Sequence, residues 1–484
     1  MTRFRSPALL ASLVLLVSAG TPAVAAEVVE QPAEDRFSPE AVQADFRYLY
    51  ETLRAAHVDL YVYRSREAYE RYYQELMGSI DGPMSRLEVA RLFIPFLAFG
   101  QVGHAKIDFP VPDYFNYATS GGTLLPLDIR VIEGRVFITH NYSTDPALAP
   151  GSELLAINGR TAPDWLDHVG RYVSAERPYM VHAQLEAMFP RLVWLAEGQV
   201  ETFDVVVRSP RGAEIAVTVD AVPLIPVEEQ KGDRERAQHS RKAELLGDGV
   251  AYLRPGPFYA AGEGETLETF EAFIDEAFAQ FIAADAADLI IDLRNNPGGD
   301  NSFSDPMIAW FADEPFRFAS RFVVKASAAT REVLAGLAEQ YPGGISEQML
   351  AAMQRHEDGE TFDFEIPEVA PRDAGFSGRV WALVNRHSYS NATTVAAIIQ
   401  DYGFGTLLGE ETADLPTSYA SSARFSLPET GIAVTYPKAY FVRPNGDEAL
   451  RGVVPDESLA FPLVTSGADP VLEEALRLVQ SRRL

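Results

Sequence analysis

Val380 to Gly403 reads VWALVNRHSYSNATTVAAIIQDYG, and this stretch decides the fold. Val380 to Val384 is an unbroken apolar run of strand-forming residues, as expected of a strand buried on both faces. A short polar turn follows. Helical spacing then runs from the turn to about Tyr402. Ser390 stands where the turn becomes the helix. A side chain there points off the sheet edge and feels the positive end of the helix dipole. It is a suitable place for a nucleophile and for the oxyanion that its attack creates. Ser388 and Ser390 read equally well as helix caps. A serine is a poor nucleophile until a base takes its proton, so the question becomes which base the chain supplies.

A second stretch, Asp288 to Asn301 (DLIIDLRNNPGGDN), has the same order of parts: buried strand, sharp turn, paired glycines. Gly298 and Gly299 expose backbone N–H groups, which can hold a developing oxyanion without rearranging. Pro-Gly-Gly after a strand also serves simply as a turn.

Composition narrows the classes. The chain has 484 residues, 47% of them hydrophobic, which suggests about three globular domains. Met1 to Ala26 carries Arg3 and Arg5, an apolar run from Ala8 to Val17, and Ala23-Val24-Ala25-Ala26. That is the pattern of a secretory signal peptide with cleavage near Ala25 or Ala26, and its apolar run is too short to span a bilayer. The expectation is a periplasmic or secreted protein. There is no cysteine, which excludes disulfides, thiol catalysis and a cysteine metal site. Formal net charge is −28, and −30 once the two arginines of the leader are removed. Such a surface disfavours nucleic acid and anionic lipid. No metal-ligand spacing occurs, so neither metal nor cofactor is expected.

Taken in order, the mature chain divides into four parts. Residues 27–119 form a helical region, with Ser38-Pro39 at a helix start and Phe46, Leu49, Tyr50 and Leu53 at helical spacing. Residues 120–225 are strand-rich: Leu127 to Ile132, Arg135 to Thr139, Glu201 to Val207 and Glu214 to Val219. Between them, Ala149 to Gly159 predicts a turn, a buried strand and an Asn-Gly hairpin. It resembles PDZ modules, in which a helix follows, here Asp164 to Val173. Residues 174–199 read as an elaboration of that module. Residues 226–247 are the most polar segment and read as a linker or exposed helix. Residues 248–484 alternate strands with helices, which implies a parallel or mixed sheet. The whole is a multi-domain α/β chain.

These strings are similar to a family of serine peptidases that includes the C-terminal-processing (tail-specific) proteases, the tricorn core protease and the interphotoreceptor retinoid-binding protein. The matching residues are Leu293-Arg294-Asn295-Asn296-Pro297-Gly298-Gly299, Val384 to Ala392, Gly409-Glu410-Glu411-Thr412, Leu427-Pro428-Glu429-Thr430-Gly431 and Gly452-Val453-Val454-Pro455-Asp456. The resemblance implies a helical N-terminal part, a PDZ-like module and an α/β catalytic domain of the crotonase and Clp-protease type. It also implies Ser390 as nucleophile, with backbone N–H groups of Gly298 or Gly299 and of Asn391 as the oxyanion hole.

The departures select a branch. Tail-specific proteases use a Ser–Lys dyad with the lysine 25 residues after the serine; that position is Leu415, and no lysine lies between Ser390 and Lys438. Thr393 stands where that branch usually has glutamate. The tricorn-like branch takes its base from a histidine ahead of the PDZ-like module in Gly-x-x-His. This chain has Gly100-Gln101-Val102-Gly103-His104, so the resemblance implies His104 as general base. His387, three residues from Ser390, is the rival. His57 sits at a packing position, and His140, His168, His182, His239 and His356 have no supporting context. The same branch places a glutamate three residues before Gly452, where this chain has Ala449. Glu448 is one step off and becomes the expected third member, with Asp447 second.

The expectation is an exported serine endopeptidase acting on unstructured peptides. The alternatives are a non-catalytic ligand- or peptide-binding relative, as the retinoid-binding protein illustrates, and a hydrolase of a non-peptide acyl bond.

Overall fold

The structure, a computed structural model, describes residues 36–483 apart from 263, 465, 466 and 468. The expected signal peptide lies outside these residues.

The C-terminal half is built on a six-stranded sheet in the order Lys242–Leu245, Val250–Arg254, Asp288–Asp292, Arg379–Val384, Thr406–Gly409, Glu457–Ser458. The first pair is antiparallel and the rest are parallel, so the sheet is mixed. All five residues of Asp288–Asp292 are buried, because both faces of the strand are covered. Leu289 and Ile291 face a core shared with Phe270 and Phe278 of the Leu267–Ala283 helix and with Val395 and Ile398 of the Asn391–Asp401 helix. Ile290 faces the other way, with Trp381 and Leu383, toward Val471, Ala475 and Val479 of the Pro470–Ser481 helix. The period-two alternation of the strand thus divides its side chains between two helical layers.

A second sheet joins the two ends of the molecule. Ala433–Val442 pairs antiparallel with Ser418–Ser426 on one side and with Arg321–Lys325 on the other. It also pairs with the two-residue strand Lys106–Ile107, with Lys106 opposite Thr435 and Ile107 opposite Val434. That short ladder holds the segment carrying His104 against the C-terminal half.

The middle of the chain is an antiparallel sheet of Leu127–Ile132, Arg135–Asn141, Glu153–Ile157, Thr202–Arg208 and Glu214–Asp220. Asn158 and Gly159 turn with φ of 48° and 74°, and Ile157 pairs with Arg160 across them. Those signs are what a type I′ hairpin turn requires, and Asn-Gly adopts them readily. The Ala162–Gly170 helix follows. The elaboration after it contains a 20-residue helix, Pro178–Glu197.

Residues 226–247, read as a linker or exposed helix, hold most of the helix Leu224–His239 and the sheet strand Lys242–Leu245, and the helix is anchored. Arg191 and Glu228, each about 1% exposed, pair with two hydrogen bonds, and Lys231 Nζ meets Asp128 Oδ1 at 2.5 Å. Buried charges persist only when paired in this way.

The helices Pro39–Ala56, Arg66–Gly78 and Arg86–Ala98 precede the segment that carries His104. Ser38 caps the first with Pro39 in its first turn, and Ser85 with Glu88 forms a capping box on the third. Phe46 and Phe93 of these helices, Leu127 and Trp194 of the middle module, and Val434 and Tyr436 of the C-terminal hairpin belong to one continuous apolar core.

Candidate active site

Two turns leave the same edge of the parallel sheet side by side, one after Asp288–Asp292 and one after Arg379–Val384. They are joined by reciprocal bonds. Asn385 Oδ1 accepts from the Asn295 N–H at 3.0 Å, and Asn385 Nδ2 donates to Asn295 Oδ1 at 3.1 Å. The Tyr389 N–H donates to the Asn296 carbonyl at 2.9 Å. Ser388, fully buried, accepts from the Asn385 N–H and donates to the Leu293 carbonyl at 2.8 Å. Ser388 is therefore a structural tie between the turns.

Ser390 is different. It precedes the Asn391–Asp401 helix with φ 52° and ψ −123°, and its side chain makes no capping bond. A positive φ at a non-glycine residue is strained by roughly 1–3 kcal/mol. On a tight strand-to-helix turn it is the conformation that projects a nucleophilic hydroxyl away from the sheet. Gly298 explains how the second turn approaches so closely. A Cβ there would lie 2.5 Å from the Tyr389 carbonyl oxygen, 2.7 Å from the Asn391 nitrogen and 2.8 Å from Ser390 Cβ. The Gly298 N–H is bound by Asn296 Oδ1 at 2.9 Å, so it is committed within its own turn. The N–H groups of Gly299 and Asn391 make no hydrogen bond among the described residues.

His104 Nε2 stands 3.3 Å from Ser390 Oγ, across 286 positions of sequence. The imidazole is buried and lies parallel to the Tyr389 ring, with centroids 5.5 Å apart. Burial pulls its pKa below the ordinary histidine value, opposed by the charge of Asp414 and assisted by that of Lys106. Its Nδ1 is buried and has no hydrogen-bond partner among the described residues. His387 turns away, its Nε2 lying 3.2 Å from Glu186 Oε2.

Glu448, the expected third member, is not brought to His104. It is exposed, and its Oε2 accepts from the Tyr440 hydroxyl at 2.8 Å. Asp447 pairs with Arg451 at 2.9 Å. Both belong to the turn that follows Ala433–Val442, whose local bonds hold them there.

Two carboxyls that the sequence reading passed over lie beside the site. Asp414 is buried; its Oδ2 accepts from the Ser390 N–H at 2.6 Å and its Oδ1 from the Leu415 N–H at 2.8 Å. Glu176 is buried and accepts from the Gly103 N–H at 2.8 Å. Asp414 immediately precedes Leu415, the position where a family lysine was sought. Glu176 lies in the segment read as an elaboration, and nothing in its local string marks it.

A serine on a strained strand-to-helix turn, facing a buried imidazole and flanked by uncommitted N–H groups, has the arrangement of serine hydrolases. Residues 250–459 match the model of peptidase family S41. This region belongs to that family, and the protein is a serine-type peptidase. Among solved structures, the chain is similar to mature CPAF complexed with lactacystin at a TM-score of 0.63 and 15% identity, covering 88% of this chain and 94% of that one. A second structure of mature CPAF gives a TM-score of 0.58 and 16% identity, covering 88% and 93%. The photosystem II D1 C-terminal processing protease gives 0.43 and 16%, covering 87% and 95%.

Proposed function

We propose that the protein is an exported endopeptidase in which Ser390 is the nucleophile and His104 the general base. Acting in the peptidase chemistry of its family, His104 Nε2 takes the Ser390 proton as Oγ attacks a peptide carbonyl. The oxyanion is received by the N–H groups of Asn391 and Gly299, the helix dipole assisting at Asn391. His104 then protonates the leaving amine, and water completes deacylation by the same route. The observation that carries this reading is the 3.3 Å approach of His104 Nε2 to Ser390 Oγ. Export rests on Met1 to Ala26. Among the described residues no helix is long and apolar enough to cross a membrane.

A fluorophosphonate probe and an unfolded fluorogenic protein such as labelled casein test the assignment together. Wild type is expected to label at Ser390 and to cleave casein. Ser390→Ala is expected to lose labelling and to lose at least ~1,000-fold in turnover. Labelling that persists in Ser390→Ala removes Ser390 as nucleophile. Ester turnover without casein cleavage in wild type would redirect the reading to a non-peptide acyl bond.

A further inference from the structure

Asp414 and Glu176 are buried, and neither pairs with lysine or arginine among the described residues. A buried carboxylate without a cation is costly unless N–H groups or a nearby positive charge compensate it. Asp414 has two backbone donors, one of them the N–H of Ser390 itself. Glu176 accepts from the Gly103 N–H and is also favoured by its own backbone N–H, and its Oε2 makes no hydrogen bond among the described residues. The side chains that interact with this pair are His104, Tyr389 and Tyr63, with Lys106 acting on His104 and Asp108 on Tyr389. Among them His104 is the one that becomes positively charged as Ser390 gives up its proton.

We infer that Asp414 is the positioning residue of the site: its carboxylate fixes Ser390 through the backbone N–H and favours the imidazolium form of His104. The inference rests on the Ser390–His104 reading above. The two carboxyls divide their roles because two buried negative charges so close to one another are unfavourable. The one that the imidazole acts on keeps the charge, and the other keeps a proton. Burial and the proximity of Asp414 push Glu176 up to about 8, so it is the neutral acid at pH 7. Asp414 is also raised by burial, but His104 and its two N–H donors pull it back. As an acid, Glu176 still accepts from Gly103 and so holds the backbone beside His104. Asp414 thereby takes the place that the family resemblance gives to a glutamate before Gly452.

The consequence for pH has a definite sign. The Asp414 charge raises the His104 pKa, while burial lowers it. Without that charge the imidazole loses its proton at a still lower pH. The ascending limb of the rate then moves down in pH, while the maximum falls because the imidazolium is no longer stabilised.

The test is the second-order rate of fluorophosphonate labelling of the full chain, followed from pH 4 to pH 9. In wild type the ascending limb is expected below the ordinary histidine value of about 6.5. Asp414→Asn, which can still accept from the Ser390 N–H, is expected to label about 100-fold more slowly or worse, with the limb displaced to lower pH. Glu176→Gln imitates the neutral acid and is expected to keep the wild-type limb and to lose less than Asp414→Asn. Asp414→Glu restores the charge on a longer arm and is expected to hold the limb near the wild-type position. It decides the matter if the asparagine variant does not fold. The inference is overturned if Asp414→Asn keeps the wild-type rate and limb, if Glu176→Gln shifts the limb further than Asp414→Asn, or if Asp414→Glu moves it down. None of these results touches the nucleophile assignment, which fails only if labelling survives Ser390→Ala.

Discussion

At the scale of single residues, the site trades local stability for geometry. Ser390 is held at φ 52° between a buried strand and a buried helix, and the Asp414 carboxylate grips its N–H. Glycine adopts that conformation without a Cβ penalty, whereas alanine keeps the penalty and loses the hydroxyl. Ser390→Gly is therefore expected to be more stable than Ser390→Ala by about 1 kcal/mol, with both expected to be inactive on the proposed assignment. Denaturant unfolding of the two proteins side by side measures this. Equal midpoints, or a more stable alanine variant, would mean that the turn is relaxed and that the positive φ stores no strain. The neighbouring residues divide by the same logic. Ser388 spends its hydroxyl on Asn385 and Leu293, whereas Ser390 directs its own toward His104.

At the scale of elements, the strands and helices around the site were legible because burial imposes periodicity. Leu127–Ile132 has the bounds its apolar run predicts, and Arg379–Val384 starts one residue before the expected strand. Three elements were not legible. Ser418–Ser426 reads SYASSARFS, with too little apolar alternation to announce a strand; its place comes from its ladder of eight residue pairs with Ala433–Val442. The helices Ala328–Gln340 and Ile345–Met353 are short, and one apolar face of each packs into the smaller core around Val324 and Phe441. The site divides in the same way. Ser390 and His104 lie in strings that carry a motif. Asp414 and Glu176 are defined by what the folded chain packs around them, and no local string encodes that. Helix Leu224–His239 makes the point energetically. Its polar sequence predicts exposure, yet Glu228 is buried against Arg191. Arg191→Met removes one partner and strands a buried carboxylate, which is expected to cost about 3–5 kcal/mol. Thermal unfolding and the rate of proteolytic nicking within 224–239 check it. A shift in midpoint of under about 2 °C, with no new cleavage, would mean that the pair is dispensable.

At the scale of the whole molecule, the candidate site depends on a core that ignores the boundaries drawn from sequence. The N-terminal helices, the middle module and the Ser418–Val442 hairpin share one apolar interior, and the Lys106–Ile107 strand is stitched to its edge. Asp45 provides a second tie. It is fully buried in the first helix and accepts from the N–H groups of Glu429 and Thr430 and from the Thr430 hydroxyl. Asp45→Ala leaves those donors unmet, at about 1–3 kcal/mol for each buried group. It is expected to lower the unfolding temperature and, below that temperature, to slow fluorophosphonate labelling by loosening the seat of His104. Labelling at the wild-type rate in a destabilised Asp45→Ala protein would mean that His104 is held independently of this tie. The ladder between Lys106–Ile107 and Ala433–Val442 also has a bearing on when activity can arise. Chain synthesis supplies the imidazole early and the hydroxyl hundreds of positions later, and the strand that seats the imidazole later still. On the proposed Ser390–His104 assignment, an incomplete polypeptide holds an unaligned pair of groups, and hydrolytic competence waits for nearly all of the chain to be made and folded. On that reading an unfinished chain cannot cleave itself.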